Sequence, residues 1–156
     1  MVALCAFAVI AAVTWVVRPR GCSYEGRTVH SWFRQFAGTF ESALTSFPGD
    51  ERFESARKAF QGMGTNAVPF LASKINRDSE LTLLERLATK LPKRFQPVPR
   101  KVEERCAALI LSDVVQPPTN MLRELLQPAL RSQDDRQRHF ATWALEYASE
   151  RNQPAQ

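Results

Sequence analysis

Residues 51–75 read ERFESARKAFQGMGTNAVPFLASKI, and this stretch decides the fold class. Its first half spaces apolar side chains at the period of an amphipathic helix, at Phe53, Ala56, Ala59, Phe60 and Met63. Gly62 and Gly64 then end that helix, as glycine commonly does at a helix C-terminus. Pro69 falls in the first turn of a second apolar segment, where its missing N–H costs no intrahelical hydrogen bond. The stretch therefore predicts two helices joined by a tight glycine turn and packed as an antiparallel hairpin.

The segments on either side repeat this helical pattern. Upstream, residues 28–40 (TVHSWFRQFAGTF) carry apolar side chains at helical spacing, with Thr28 as the N-cap. Downstream, the pattern predicts helices at 81–90, 101–115 and 119–131, with a kink at Pro128, and a last helix capped by Asp134 or Asp135. No segment shows the alternation of a strand. We therefore predict an all-α domain over residues 21–150, followed by a polar tail at 151–156.

The N-terminal segment is apolar. Residues 2–17 (VALCAFAVIAAVTWVV) carry no charge and are closed by Arg18-Pro19-Arg20. As a helix the run would be about 24 Å long, somewhat short of a hydrocarbon core of about 30 Å. Its start has no basic residue and its exit no small-x-small site, so residues 1–20 favour a single-pass membrane anchor over a cleaved signal peptide. Cleavage would instead make the protein secreted, and the side of the membrane stays open.

Composition is that of a folded protein with a basic balance. Charged residues make up 24% and apolar residues 44% of the 156 residues, and the net charge is +5. Residues 90–101 (KLPKRFQPVPRK) combine three prolines with five basic residues and no acid, which predicts a surface loop. This loop carries our second functional hypothesis, binding of anionic lipid or, less favoured, of nucleic acid. Its candidate contacts are Lys90, Lys93, Arg94, Phe95, Arg100 and Lys101.

No catalytic constellation emerges from the sequence. His30 and His139 lie at opposite ends of the domain, and neither has a nucleophile at a productive spacing. Glu103 and Glu104 lie near a predicted helix start, where acids complement the helix dipole. The three cysteines form neither a CxxC motif nor a metal-ligand pattern with histidine. We therefore expect no enzyme activity, no cofactor and no metal.

Two stretches resemble HEAT repeats, the helical hairpins that stack into solenoids. Residues 56–71 are similar to a helix ending in glycine followed by an Ala-x-Pro-x-Leu helix start, and residues 126–145 are similar to the family's junction between repeats. Together with residues 24–33 (YEGRTVHSWF), the order of segments resembles membrane-anchored or secreted HEAT-repeat proteins of Verrucomicrobia-like bacteria. The resemblance implies a short right-handed α-solenoid of HEAT-like antiparallel helix hairpins. Residues 111–117 (LSDVVQP) depart from the family's Leu-Gly-x-x-Ala turn.

The resemblance also implies the leading functional hypothesis, a protein-interaction scaffold tethered to a membrane through residues 2–17. Its partner would be an unidentified protein or peptide, and Trp32 and Trp143 are candidate contacts, together with Phe33 and Phe36. Core packing is the competing interpretation of aromatic side chains at helical spacing. A third hypothesis is that the chain is a diverged remnant whose short array has no dedicated ligand.

Overall fold

The computed structural model describes residues 21–45, 50–77 and 98–151. Four predictions lie outside these described residues: the hydrophobic helix at 2–17, the helix at 81–90, the loop as far as residue 97 and the polar tail beyond residue 151. Among the helices that are described, none combines the length and the apolar character needed to cross a membrane.

The described residues form one short hairpin and a series of helices, so the all-α prediction is confirmed in its coarse form. In chain order the elements are β1 Ser23–Tyr24, β2 Arg27–Thr28, α1 Val29–Thr45, α2 Glu51–Met63, a 3₁₀ helix Gly64–Ala67, α3 Val68–Ile75, α4 Arg100–Leu109, a π-helical segment Ile110–Val115, α5 Thr119–Leu130 and α6 Asp135–Arg151.

The hairpin of β1 and β2 corrects the prediction that the domain contains no strand. Tyr24 pairs with Arg27 in an antiparallel register. Between them, Glu25 and Gly26 have φ values of 50° and 72°. Positive φ at both central residues is the geometry of a type I′ turn, whose twist matches the twist of the paired strands. Strands of two residues are too short to show alternation, which is why the sequence pattern missed them.

The helix ends follow the predicted capping residues, except that Gly62 lies inside α2 and only Gly64 ends it. Thr28 Oγ1 accepts a hydrogen bond from the backbone N–H of Ser31 (3.3 Å) at the start of α1. Asp134 Oδ1 accepts from the backbone N–H of Arg136 (3.0 Å) at the start of α6. Gly64 ends α2 with a φ of 54°. The local preferences of capping side chains and of the glycine backbone therefore account for where these helices begin and end.

An aromatic cluster forms the core between α1 and α2. The ring of Phe36 lies 4.6 Å from that of Phe53, measured between centroids, and 6.2 Å from those of Phe40 and Phe60. Full burial of a side chain of this size stabilises the fold by about 1.5–3 kcal/mol. The core continues through the other helices with the fully buried Leu71, Ile75, Ile110, Leu111, Leu122 and Leu126.

Packing among the helices differs from a simple series of hairpins. Of the helices that are adjacent in sequence, α1 with α2 and α5 with α6 pack most closely. The sequence predicted a hairpin of α2 with α3. In the structure, the closest helical neighbours of α2 are α1 and the π-helical segment, whereas those of α3 are α4 and α5. After the 3₁₀ helix the chain therefore continues into α3, which packs mainly against α4 and α5.

The helix predicted at 101–115 begins one residue earlier, at Arg100, and becomes π-helical at Ile110. Gln116 then adopts a left-handed conformation (φ 51°, ψ 57°), and its backbone N–H donates to the Leu111 carbonyl (3.1 Å). The helix ends before Pro117, as the sequence predicted. The π-helical segment coincides with the stretch that departs from the HEAT pattern.

Candidate functional site

The aromatic residues proposed as partner contacts contribute to the core. Trp32 is only 4% exposed, and its Nε1–H donates to the backbone carbonyl of Tyr24 (3.0 Å). Phe33 and Phe36 are buried as well, whereas Trp143 on α6 is partly buried and packs against the core. This burial favours core packing over partner binding for Trp32, because little of the ring remains accessible.

Part of the predicted basic loop lies outside the described residues: Lys90, Lys93, Arg94 and Phe95. Arg100 and Lys101 form the first turn of α4 instead of a loop. Lys101 is exposed, but the side chain of Arg100 is only 10% exposed and its Nε donates to Glu104 Oε1 (2.8 Å). The structure thus commits Arg100 to an internal ion pair, which removes one cation from the predicted anion-binding surface.

A buried ionic cluster surrounds Glu104, which is fully buried. Its second oxygen lies 2.9 Å from Arg136 Nε, although the N–H of that nitrogen does not point at it. Burial raises the pKa of the Glu104 carboxyl, and Arg100 and Arg136 act in the opposite direction. The carbonyl of Arg77 accepts hydrogen bonds from Arg100 and from the buried Gln137. These bonds connect the end of α3 to α4 and α6, which gives the cluster a structural role.

Asn76 makes a second connection from the end of α3. Its Nδ2 donates to the Leu125 carbonyl (2.7 Å), and its Oδ1 accepts from the backbone N–H of Ala129 (3.2 Å). Both partners lie on α5, on either side of Pro128. The hydrogen bonds of Asn76 thus hold the end of α3 against α5.

A different cluster lies at the surface where α1 and α3 meet. The rings of His30 and Phe70 are in edge contact, with centroids 4.5 Å apart. Lys74 Nζ lies 5.7 Å from the Phe70 ring and 5.2 Å from the Phe33 ring, within the range of cation–π attraction. Arg34 is exposed one turn after His30. We call His30, Arg34, Phe70 and Lys74 the basic aromatic face.

On this face, positively charged side chains have the strongest electrostatic effect on His30. Burial lowers the pKa of His30, and the charges of Lys74 and Arg34 lower it further, whereas Glu103 on α4 raises it. Lys74 Nζ is 3.2 Å from a Glu103 oxygen, so one acid from α4 meets the face at its edge. The arrangement suits an incoming anion, because a negative group would meet Arg34 and would favour the protonated form of His30.

Sequence reasoning weighed His30 only as a catalytic residue beside Ser31, and it did not identify the rest of the face. A signal was available within each helix: His30 and Arg34, like Phe70 and Lys74, are four residues apart and so share one side of a helix. What the sequence could not supply is the meeting of α1 with α3, which is a tertiary contact.

The described part of the chain offers no group of three or more His, Cys, Asp or Glu side chains arranged to hold a metal ion. Cys106 is fully buried on α4, where cysteine packs as a small hydrophobic residue. His139 is exposed beside Phe140, with ring centroids 5.5 Å apart.

Comparisons with known proteins give no match: no protein-family model, no curated protein sequence and no solved structure matches the chain. The resemblance to HEAT repeats therefore rests on the residues of 56–71 and 126–145 themselves.

Proposed function

We propose that the chain is a protein-interaction scaffold, which holds a partner protein on the basic aromatic face and is tethered to a membrane by residues 2–17. The observation that carries the proposal is the edge contact of His30 with Phe70 at the surface, flanked by Lys74 and Arg34. Aromatic residues and arginine are enriched in protein interfaces relative to the rest of the surface. The face is also built on two helices, so its side chains are positioned by a rigid scaffold.

The architecture of a HEAT-like right-handed α-solenoid belongs to this proposal. The close packing of α1 with α2 and of α5 with α6 supports it, since paired sequence neighbours are the unit of such arrays. The π-helical segment would then be an irregular junction between repeats. In this architecture a partner binds an exposed helical surface, while the polar contacts of Glu104 and Asn76 hold neighbouring helices in place.

The proposal assigns binding rather than catalysis to His30. An imidazole that acts as a general base is commonly oriented by an acceptor and surrounded by groups that favour its protonated form. The strongest electrostatic neighbours of His30 are the cations Lys74 and Arg34, which disfavour protonation. The ring also packs edge-on against Phe70. This environment fits a recognition surface better than a catalytic base.

The scaffold is tested by site-specific photo-crosslinking of the full chain in its native cells. A photoreactive residue replaces Ser73, which is exposed on α3 beside Lys74, and in a control chain it replaces Glu146, which is exposed on α6. We expect position 73 to yield a discrete protein adduct that position 146 does not give. Equal labelling at both positions, or no adduct at position 73, would contradict the proposal.

The membrane tether has a separate test. Val9 and Ile10 lie in the middle of the apolar run, and replacing both by arginine should cost about 2.5–3.5 kcal/mol per residue at the centre of a spanning helix. We expect the full chain to sediment with membranes and the double variant to be released. Sedimentation of both, resistant to high salt, would contradict tethering by residues 2–17.

A further inference from the structure

We infer that the occupant of the basic aromatic face is an acidic, carboxylate-bearing segment of the partner protein, which pairs with Arg34 and His30 and packs an apolar side chain on Phe70. The inference rests on the proposed function, because it specifies the partner of the same surface.

Charge complementarity is the first argument. His30 and Arg34 are exposed one turn apart on α1, a spacing that puts their side chains about 5–6 Å apart at Cβ. Arg34 takes part in none of the ion pairs found among the described residues. Lys74 approaches from α3 with its ammonium near the Phe70 ring, and its carboxylate partner Glu103 lies at the edge of the face. Two carboxylates along one extended segment would match these cations.

The aromatic part of the face is the second argument. Phe70 is only partly buried, although it already contacts His30 and Phe33 by its edges. Pro69, the residue before it, is exposed. An apolar side chain next to the acidic residues of a partner would cover this exposed carbon. Burial of apolar surface there adds to the affinity that the ion pairs provide.

The size of the face decides between a protein segment and the other anionic partners. Recognition of an anionic membrane by charge takes clusters of about 4–8 Lys or Arg residues. A nucleic-acid site commonly makes about 6–10 phosphate contacts. Among the residues that the structure describes, the basic aromatic face offers Arg34, Lys74 and a titratable His30, and Lys74 is shared with Glu103. Such a small number of cations beside an aromatic ring fits a short acidic peptide segment.

Binding of a carboxylate would be linked to protonation of His30. In the free protein, burial together with Lys74 and Arg34 lowers the pKa of His30, and Glu103 is the group that raises it. A bound carboxylate adds a second negative charge beside the ring and so raises that pKa again. The complex therefore takes up a proton, and affinity increases as the pH falls through the range between the two pKa values.

The test uses the full 156-residue chain in detergent, immobilised and exposed to a displayed library of random linear peptides. The strongest peptide is then titrated against wild type, an Arg34→Glu variant and an Arg123→Glu control. Arg123 is exposed on α5, so the control changes the net charge by the same amount away from the face. Vesicles containing phosphatidylglycerol and a DNA duplex are titrated in parallel.

We expect acidic peptides to be enriched, Arg34→Glu to weaken binding by about tenfold or more, and Arg123→Glu to leave it within about twofold. Affinity should rise from pH 7.5 to pH 5.5, and a His30→Gln variant should lose that rise. If uncharged peptides are enriched instead and crosslink to a chain that carries the photoreactive residue at position 73, that result would overturn the acidic partner but would agree with the scaffold proposal. Enrichment of no peptide would overturn the acidic segment, whereas the scaffold would still be decided by the crosslinking at position 73. Binding of vesicles or DNA through Arg34, with no binding of acidic peptides, would assign the face to that ligand instead.

Discussion

The side-chain amide of Asn76 pairs with two backbone groups of α5 on either side of Pro128, the Leu125 carbonyl and the Ala129 N–H. In an uninterrupted helix the N–H of Ala129 would donate to the carbonyl of Leu125, four residues earlier. Proline disturbs the helix at this point, because its ring clashes with the preceding turn. Asn76 donates to the Leu125 carbonyl and accepts from the Ala129 N–H, so both groups remain paired. The turn of α5 around Pro128 is thereby the place where the end of α3 is attached.

An Asn76→Ala variant should lose about 1–3 kcal/mol of unfolding free energy for each backbone group left unpaired, as measured by urea denaturation of the full chain in detergent. In a Pro128→Ala background the same substitution should cost less, because α5 can then close its own hydrogen bond. A double-mutant cycle measures this coupling. Equal costs in the two backgrounds would show that Asn76 and Pro128 act independently.

Adjacent glutamates on α4 should differ sharply in their effect on stability. Glu104→Ala leaves Arg100 and Arg136 without their buried anion, and removal of one member of a buried pair costs about 3–5 kcal/mol. The Glu103 side chain is 21% exposed and pairs with Lys74 and Arg77, whose charges partly reach solvent, so Glu103→Ala should cost less than Glu104→Ala. Urea denaturation of both variants checks the difference. Similar costs would mean that the cluster around Glu104 contributes no more than the partly exposed pairs of Glu103.

Tyr24 and Gly62 should be energetically coupled. A Cβ at Gly62 would overlap the Tyr24 ring, which packs directly on α2 at that position. Gly62→Ala should therefore destabilise the wild-type chain in thermal denaturation, despite the higher helix propensity of alanine. In a Tyr24→Ala background the substitution should instead stabilise α2, by up to about 1 kcal/mol. The same sign in both backgrounds would refute the contact.

His30 should make the fold less stable in mild acid. Its folded-state pKa is lowered, so the unfolded chain binds more protons as the pH falls below the ordinary value of 6.5. The unfolding free energy should then decrease as the pH falls from 6.5 to the folded pKa, and His30→Gln should flatten this part of the profile. An NMR titration of the His30 ring gives the pKa directly. A midpoint at or above 6.5 in the free protein would contradict the environment described for the face.

Local signals in the sequence predicted the helices well. Thr28, Asp134 and Gly64 act within one helical turn, so their effects are visible without knowledge of the fold. The sequence failed where geometry departs from a regular period. The π-helical segment Ile110–Val115 has more residues per turn than an α-helix, so a count of 3.6 residues per turn loses its phase there.

The candidate site depended on contacts that no periodicity reveals. From the sequence, Glu104 is an acid near the start of a helix. Its contact with Arg136, thirty-two residues later in the chain, is visible only in the structure. The contact of His30 with Phe70 likewise joins two separate helices. Side-chain type and spacing predicted which residues lie on the same side of one helix, whereas the pairing of helices required the structure.

The hairpin that precedes α1 also determines how the domain would bear mechanical load. The carbonyl of Cys22 accepts from the N–H of Val29 (3.0 Å), and the carbonyl of Tyr24 accepts from the Trp32 indole (3.0 Å). The Tyr24 ring also rests on Gly62 of α2. A pulling force applied on the N-terminal side of Cys22 would have to break these contacts at the same time before α1 could unfold from its N-terminal end. Single-molecule pulling should thus record a rupture force that falls when Tyr24 is replaced by alanine, and an unchanged force would place the load elsewhere.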